Sequence, residues 1–378
     1  MEYEIVKYCP EFKKQVVQLQ TYLWSSDVAL NAAYLEWKYE HNPYMKAPFI
    51  HLAVSEGQVI GMRGLYGAKW QIGCPSQTFV GPCAGDLVIA PAHRNRGLVT
   101  KIMQAAADDL ADSGYVYVFN LSAGLATQLG SLTTGWRSAG PVETVWFRSL
   151  RTRGREYTSH LRFVRRFANR LLVPSSAKKQ PFYFLDGKST QRRCEAGSYV
   201  SVEPAPRPEA MAELVERVGS DGRLRQVRDQ EYFAWRFQSP LSRYRFLFWG
   251  DATLEGYLVL QTYVHGKGIS IVDWEATNIK VRADLLQTAM QWGKFDELTI
   301  WTATLPAEVK TLLRNAGFRI LGKTESIGRA YSVSAPRPTV LLRAVRQDML
   351  KETDWLMAQR RLLDLDNWDL RMIYSDNF

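Results

Sequence analysis

Cysteine is scarce in this chain: Cys9, Cys74, Cys83 and Cys194 are the whole complement among 378 residues. None stands in a C-x-x-C pair, which argues against a disulfide framework or a structural zinc site, and no metal is expected. Long apolar runs are missing too, so no stretch reaches the ~20 residues that cross a bilayer as a helix. The opening residues, Met1-Glu2-Tyr3-Glu4-Ile5, lack the basic and apolar regions of a secretory leader. The expectation is a protein of the reducing cytoplasm. Two phosphate-binding fingerprints are also absent, G-x-x-x-x-G-K-[ST] and a G-x-G-x-x-G after a strand. Acidic residues fall short of basic ones, 38 against 48, leaving a formal net charge of +10. That balance suits a phosphate-bearing partner, RNA or an anionic membrane surface.

Apolar residues, by contrast, make up 46% of the chain. Its length has room for about two domains, each with its own core. Much of the excess charge sits between residues 151 and 179, where nine arginines and lysines face only Glu156. Residues 159–172 also carry helical spacing, with Leu161, Phe163, Val164, Phe167 and Leu171 on one face. The simplest reading is a basic linker helix, packed on one side and solvated on the other. Binding of nucleic acid or a membrane surface is the non-enzymatic alternative.

The two halves repeat one another. Tyr34-Leu35-Glu36-Trp37-Lys38-Tyr39, followed by Pro43, resembles Tyr232-Phe233-Ala234-Trp235-Arg236-Phe237, followed by Pro240. Residues 52–65 with Gly61 match residues 246–260 with Gly256. Asn120 precedes Gly135-Trp136-Arg137 by the same distance that Thr302 precedes Gly317-Phe318-Arg319. Matched landmarks in one order mark an internal duplication. In the first half the pattern predicts strands at 3–8, 49–54, 59–68, 79–89, 115–120 and 142–150. Helices are predicted at 11–22, 30–39, 98–113 and 123–133. Hairpin strands with a helical crossover imply a mixed α/β (α+β) sheet.

One short run stands out: Arg94-Asn95-Arg96-Gly97-Leu98-Val99, between an apolar strand ending at Pro91 and a helix with Leu98, Ile102, Met103, Ala106 and Leu110 on one face. The first N–H groups of a helix lack intrahelical partners and the macrodipole is positive there. Gly97 admits close approach of an anion, and Arg94 and Arg96 add charge. The run resembles the pyrophosphate-binding motif [RQ]-x-x-G-x-[GA] of the GNAT superfamily of acyl-CoA N-acyltransferases. Arg94, Gly97 and Val99 take the marked positions, Val99 departing from the usual Gly or Ala. Aligning Ser270-Ile271-Val272-Asp273-Trp274 with Asp86-Leu87-Val88-Ile89-Ala90 puts Asn278 opposite Arg94 and Val281 opposite Gly97. A β-branched valine there, with Asp273 and Glu275 nearby, excludes a phosphate, so one coenzyme site per chain is expected.

The resemblance implies two tandem GNAT-like domains: 1–150 with the acyl-CoA site, and a degenerate 200–335 shaping the acceptor site. A basic linker at 151–199 and a C-terminal helical tail at 336–378 complete the plan. It implies that Leu87, Val88, Ile89, Arg94, Asn95, Arg96, Gly97, Leu98, Val99 and Asn120 hold acyl-coenzyme A, the pantetheine pairing like an added strand. Asp86 is the carboxylate best placed to accept the amine proton, with His51 and His93 as alternatives. Cys83 reads as a buried filler. Many relatives carry a proton-donating tyrosine where this chain has Ser131, a poor acid. The expected activity is direct transfer of an acyl group to a primary amine. The overall plan resembles enzymes acting on nucleotide-linked amino sugars of surface polysaccharides. An aminoacyl-tRNA-dependent transferase with doubled domains is the second reading. No DNA is expected as a partner, and self-association is left open.

Overall fold

The computed structural model describes residues 2–148, 190–193, 199–250, 253–264, 268–293, 295, 297–320, 338–346 and 351–375. The expected linker helix at 159–172 lies outside them. In chain order the first elements are β1 (Glu4–Lys7), α1 (Lys13–Leu19), α2 (Val28–Leu35), β2 (Phe49–Ser55), β3 (Gln58–Ile72) and β4 (Gln77–Ile89). There follow α3 (Leu98–Asp112), β5 (Tyr117–Ala123), α4 (Leu125–Leu132), β6 (Arg137–Pro141), β7 (Thr144–Arg148), β8 (Thr190–Arg193) and β9 (Tyr199–Glu203). Then come α5 (Pro208–Val218), β10 (Arg225–Gln226), α6 (Gln230–Arg236), β11 (Ser242–Trp249), β12 (Gly256–Tyr263), β13 (Ile269–Ala276) and α7 (Ile279–Gly293). The last are β14 (Glu297–Trp301), α8 (Ala307–Asn315), β15 (Arg319–Ile320), β16 (Thr339–Ala344), β17 (Leu356–Met357) and β18 (Arg360–Arg361).

These elements form two compact units whose members are not contiguous in sequence. One comprises Met1–Val142, Gly219–Leu241 and Ala335–Phe378; the other comprises Glu143–Val218 and Ser242–Ser334. The first unit's sheet runs β1-β2-β3-β4-β5-β16-β6, with β10 added to β3. The second runs β15-β7-β14-β13-β12-β11-β9-β8. Each sheet is therefore completed by the strand that follows the other half in sequence. β16 enters between β5 and β6, and β7 between β14 and β15. This differs from the expected boundaries of 1–150 and 200–335, and β6 was not foreseen as a strand of its own.

The C-terminal tail departs from the helix expected there. Val340, Leu341 and Leu342 are each fully buried in β16, the continuous apolar run of a strand covered on both faces. Beyond it the chain makes 3₁₀ turns at Glu352–Trp355, Leu365–Asn367 and Met372–Tyr374. They bury Trp355, Trp368, Ile373 and Tyr374.

The duplicated aromatic runs meet inside the first unit. The Trp37 and Trp235 rings stack 5.2 Å apart, 13° from parallel. Each indole N–H donates to the other residue's carbonyl, at 2.8 and 2.9 Å. A reciprocal contact of this kind is what a local two-fold relation between repeats produces, and it satisfies both indole donors in an apolar setting. α3 follows its periodicity, burying Leu98, Ile102, Met103, Ala106, Ala107 and Leu110. Among the described residues no helix is long and apolar enough to cross a membrane.

Candidate active site

β4 and β5 run parallel but share a single register pair, Cys83 with Phe119. β4 continues to Ile89 bonded to β3 alone, with Arg63 opposite Leu87 and Gly61 opposite Ile89. Past Cys83 the two strands part, which frees the β5-facing edge of Leu87, Val88 and Ile89. At the end of this edge Gly97 takes φ +70°, a left-handed conformation that glycine adopts without cost. It sits at the N-cap of α3 and offers no side-chain cap, so the first N–H groups of the helix stay open. A Cβ at Gly97 would meet no atom within 4 Å. The backbone conformation, rather than crowding by the chain itself, is what requires glycine.

Leu87, Val88, Ile89, Arg94, Asn95, Arg96, Gly97, Leu98 and Val99 all line one cleft of about 490 Å³, together with His93 and Ser131. The Arg94 Nε donates to the Ile89 carbonyl at 3.1 Å, bracing the loop against the strand. Arg96 donates to the Tyr3 hydroxyl at 2.8 Å, and Tyr3 Oη lies 3.3 Å from His93 Nδ1. The Ser131 hydroxyl is buried and finds no hydrogen-bond partner among the described residues. An uncapped helix end, two arginines and an orphaned hydroxyl in one elongated cleft fit an extended, phosphate-bearing coenzyme. Among the described residues no cluster of three or more His, Cys, Asp or Glu side chains is arranged to hold a metal ion.

Beside the cleft, and sharing Leu23, Leu87 and Thr127 with it, lies a smaller polar chamber of about 120 Å³. Arg63, Gly85, Asp86, Asn120, Ser122 and Ser375 are among its walls. A bulge between β3 and β4 shapes it: Arg63 pairs with Leu87 but Leu65 with Ala84, so β4 carries an extra residue at Gly85-Asp86. The two glycines here have no room for a side chain. A Cβ at Gly64 would strike the Tyr39 hydroxyl, and one at Gly85 would stand 2.6 Å from the Lys38 Nζ.

Asp86 is placed differently from the free base expected of it. It borders the chamber, but its carboxylate is fully buried and both oxygens are engaged. Oδ1 accepts from Lys38 Nζ at 2.8 Å and Oδ2 from Gln20 Nε2 at 2.9 Å. The Lys38 ammonium also donates to the Tyr34 hydroxyl at 3.0 Å and lies 5.1 to 5.8 Å from the rings of Trp24, Tyr34, Tyr39 and Tyr66. Protonating Asp86 would strand that ammonium in the interior, and leaving one member of a buried pair alone is strongly destabilising.

Arg63 is the other buried cation. One Nη donates to the Gly85 carbonyl at 3.1 Å; the other has no partner among the described residues. Burial pushes the guanidinium down to about 10, against the opposing pull of Tyr39 and Asp86, so it remains cationic at neutral pH.

Asn120 lines the chamber rather than the coenzyme cleft, with its Oδ1 accepting the Ser122 N–H at 3.3 Å. His51 is away from both cavities, buried on β2 with Nε2 3.5 Å from the Asp109 carboxylate. Cys83 is buried in β4. The second half also departs from its expected alignment. α7 begins at Ile279 and Asn278 caps it, its Oδ1 accepting the Val281 N–H at 3.0 Å. Asn278, not Val281, thus holds the place of Gly97. Lys38, Gln20 and Arg63 were missed by sequence reasoning. A lone arginine between glycines in the apolar run of β3 was the available signal.

Residues 5–127 match the family model of the acetyltransferase (GNAT) domain. No curated protein sequence matches the chain. Among solved structures, a GCN5-related N-acetyltransferase from Anabaena variabilis superposes with TM-score 0.54 at 15% identity, covering 91% of this chain and 73% of that one. A probable N-acyltransferase of unknown function from Enterococcus faecalis gives 0.55 at 11% identity with the same coverage. A tandem GNAT protein from the clavulanic acid biosynthesis pathway gives 0.52 at 12% identity, covering 91% of this chain and 99% of that one. Residues 5–127 are thus similar to the acetyltransferase (GNAT) domain, and the fold shared with those structures extends along nine-tenths of the chain's length.

Proposed function

We propose that this chain is a cytoplasmic acyl-CoA-dependent N-acyltransferase with one coenzyme site per chain and a primary amine as acceptor. The amino group of a nucleotide-linked amino sugar is the acceptor class to which the sequence resemblance points. The observation that carries the reading is the uncapped N-terminus of α3, opening onto a cleft beside two parted parallel strands. The coenzyme pyrophosphate would take the open N–H groups at Leu98 and Val99, with Arg94 and Arg96 adding positive potential. The pantetheine arm would pair along the edge of Leu87, Val88 and Ile89, where β5 has moved away. Ser131 would supply its unpartnered hydroxyl to the same ligand.

In the transfer, the amine lone pair forms the C–N bond, the C–S bond breaks, and the thiolate leaves with the electron pair. A protonated acceptor first gives one proton to water in the polar chamber, which frees the lone pair; the second proton, released from nitrogen as the amide forms, passes to the thiolate to give the free thiol. Asp86 acts here as half of the ion pair with Lys38, which together with Gln20 holds the chamber wall in place. The test is a calorimetric titration of the full chain with coenzyme A. One site per chain is expected; no binding or two sites would overturn the reading.

A further inference from the structure

We infer that Arg63 recognises a carboxylate carried by the acceptor, close to the amine that is acylated. The inference rests on the N-acyltransferase reading and replaces its amino-sugar acceptor with a compact amine that carries a carboxylate. Arg63 is 2% exposed and stands on β3 at the bulge that forms the chamber wall. A guanidinium offers its donors as a planar fork suited to two parallel bonds with a carboxylate. Here one side of the fork is used by the Gly85 carbonyl, and the other ends on no acceptor among the described residues. A buried cation without a counter-charge is costly unless something pairs with it.

Among the described residues, the charges around Arg63 supply no carboxylate that is not already engaged. Asp86 attracts the guanidinium, but both carboxylate oxygens are held by Lys38 and Gln20. Tyr39 is the other group acting on it, and is neutral while its hydroxyl keeps its proton. The remaining polar walls are uncharged: Asn120, and the Ser122 hydroxyl 2.7 Å from that of Ser375. The chamber thus has a cationic pole at Arg63, whereas the charge of Asp86 is offset by Lys38. A small molecule bearing a carboxylate matches that pole. Its size agrees, since about 120 Å³ is well below the ~300 Å³ at which pockets for drug-sized ligands begin. A compact acidic head fits inside, and any larger portion must remain outside.

The experiment uses near-isosteric pairs that differ only in the carboxylate: glycine against glycinamide, and β-alanine against β-alaninamide. Each is titrated calorimetrically into the coenzyme A-loaded chain, and each is offered with acetyl-CoA while thiol release is followed. The carboxylated member should bind at least about tenfold tighter, as expected when a charged hydrogen-bonding partner is added. Arg63→Gln should abolish the preference while coenzyme A affinity stays within about twofold. Arg63→Lys, which keeps the charge but not the fork, should retain part of it. Equal binding of both members, no binding of either, or a preference that survives Arg63→Gln would overturn the inference. Loss of coenzyme A binding by the unmodified chain would instead sink the acyltransferase reading beneath it.

Discussion

The first half joins β4 to α3 through residues 90–97, whereas the second joins β13 to α7 through Thr277 and Asn278 alone. The long connection leaves a helix end uncapped and carries two arginines to it. The short one lets the Asn278 side chain satisfy the helix it precedes. Arg282 then folds back on the Trp274 carbonyl at 2.9 Å and on the Glu275 carboxylate. The bulges differ in the same sense. Both halves shift register at the corresponding place, between Arg63 and Leu65 in β3 and between Val259 and Leu260 in β12. The first half puts Arg63, Gly85 and Asp86 around its bulge; the second puts Val259, Val272 and Asp273 there, with Asp273 accepting from the Tyr257 hydroxyl at 2.8 Å. The repeat partner of Lys38, Arg236, donates to the Ile373 and Ser375 carbonyls at 2.8 and 2.7 Å. At these matched positions the second copy's Asn278 and Arg282 find partners within the chain. The first copy keeps some of its polar groups open toward a cavity, which stabilises nothing until a ligand arrives.

That contrast is broken most severely at the buried pair. Asp86→Asn should cost about 3–5 kcal/mol of stability, because it leaves the Lys38 ammonium unpaired; thermal unfolding measures it. The double variant Lys38→Met, Asp86→Leu should recover much of that loss. If Asp86→Asn lowered turnover at unchanged melting temperature, Asp86 would be a chemical base after all. At the helix mouth, Gly97→Val should weaken coenzyme A at least about 100-fold by calorimetry, through left-handed strain and a side chain placed at the anion site. Asn278→Gly in the second half should create no second site. The smallest effect sharpens the comparison from the other side. Asn278→Ala should remove about 0.5–2 kcal/mol of stability through the lost cap, with coenzyme A affinity unchanged.

Much of the first half could be read from residue order. The apolar runs of β2 and β3 and the helical face of α3 are local patterns; β2 and α3 fall within a residue of the limits expected, while β3 runs on to Ile72. That Leu87 to Ile89 and Arg94 to Val99 lie together along one cleft was legible for the same reason, since strand end, loop and helix start lie within one short stretch. β16 was not, because an apolar run as short as Val340-Leu341-Leu342 reads equally as helix or strand until its neighbours are known. Its neighbours, β5 and β6, lie some two hundred residues earlier.

Residue order by itself determined the helix mouth. A glycine in the left-handed region, an apolar strand before it and an amphipathic helix after it follow from backbone sterics and periodicity over a few residues. Only the tertiary structure decided what the buried charges do. Whether Asp86 is a free base or half of an ion pair depends on Lys38 and Gln20, which reach it from distant helical segments. Whether Arg63 is satisfied depends on which groups the bulge brings within reach. Burial makes those choices costly to get wrong, but it is set by long-range packing that no local pattern records.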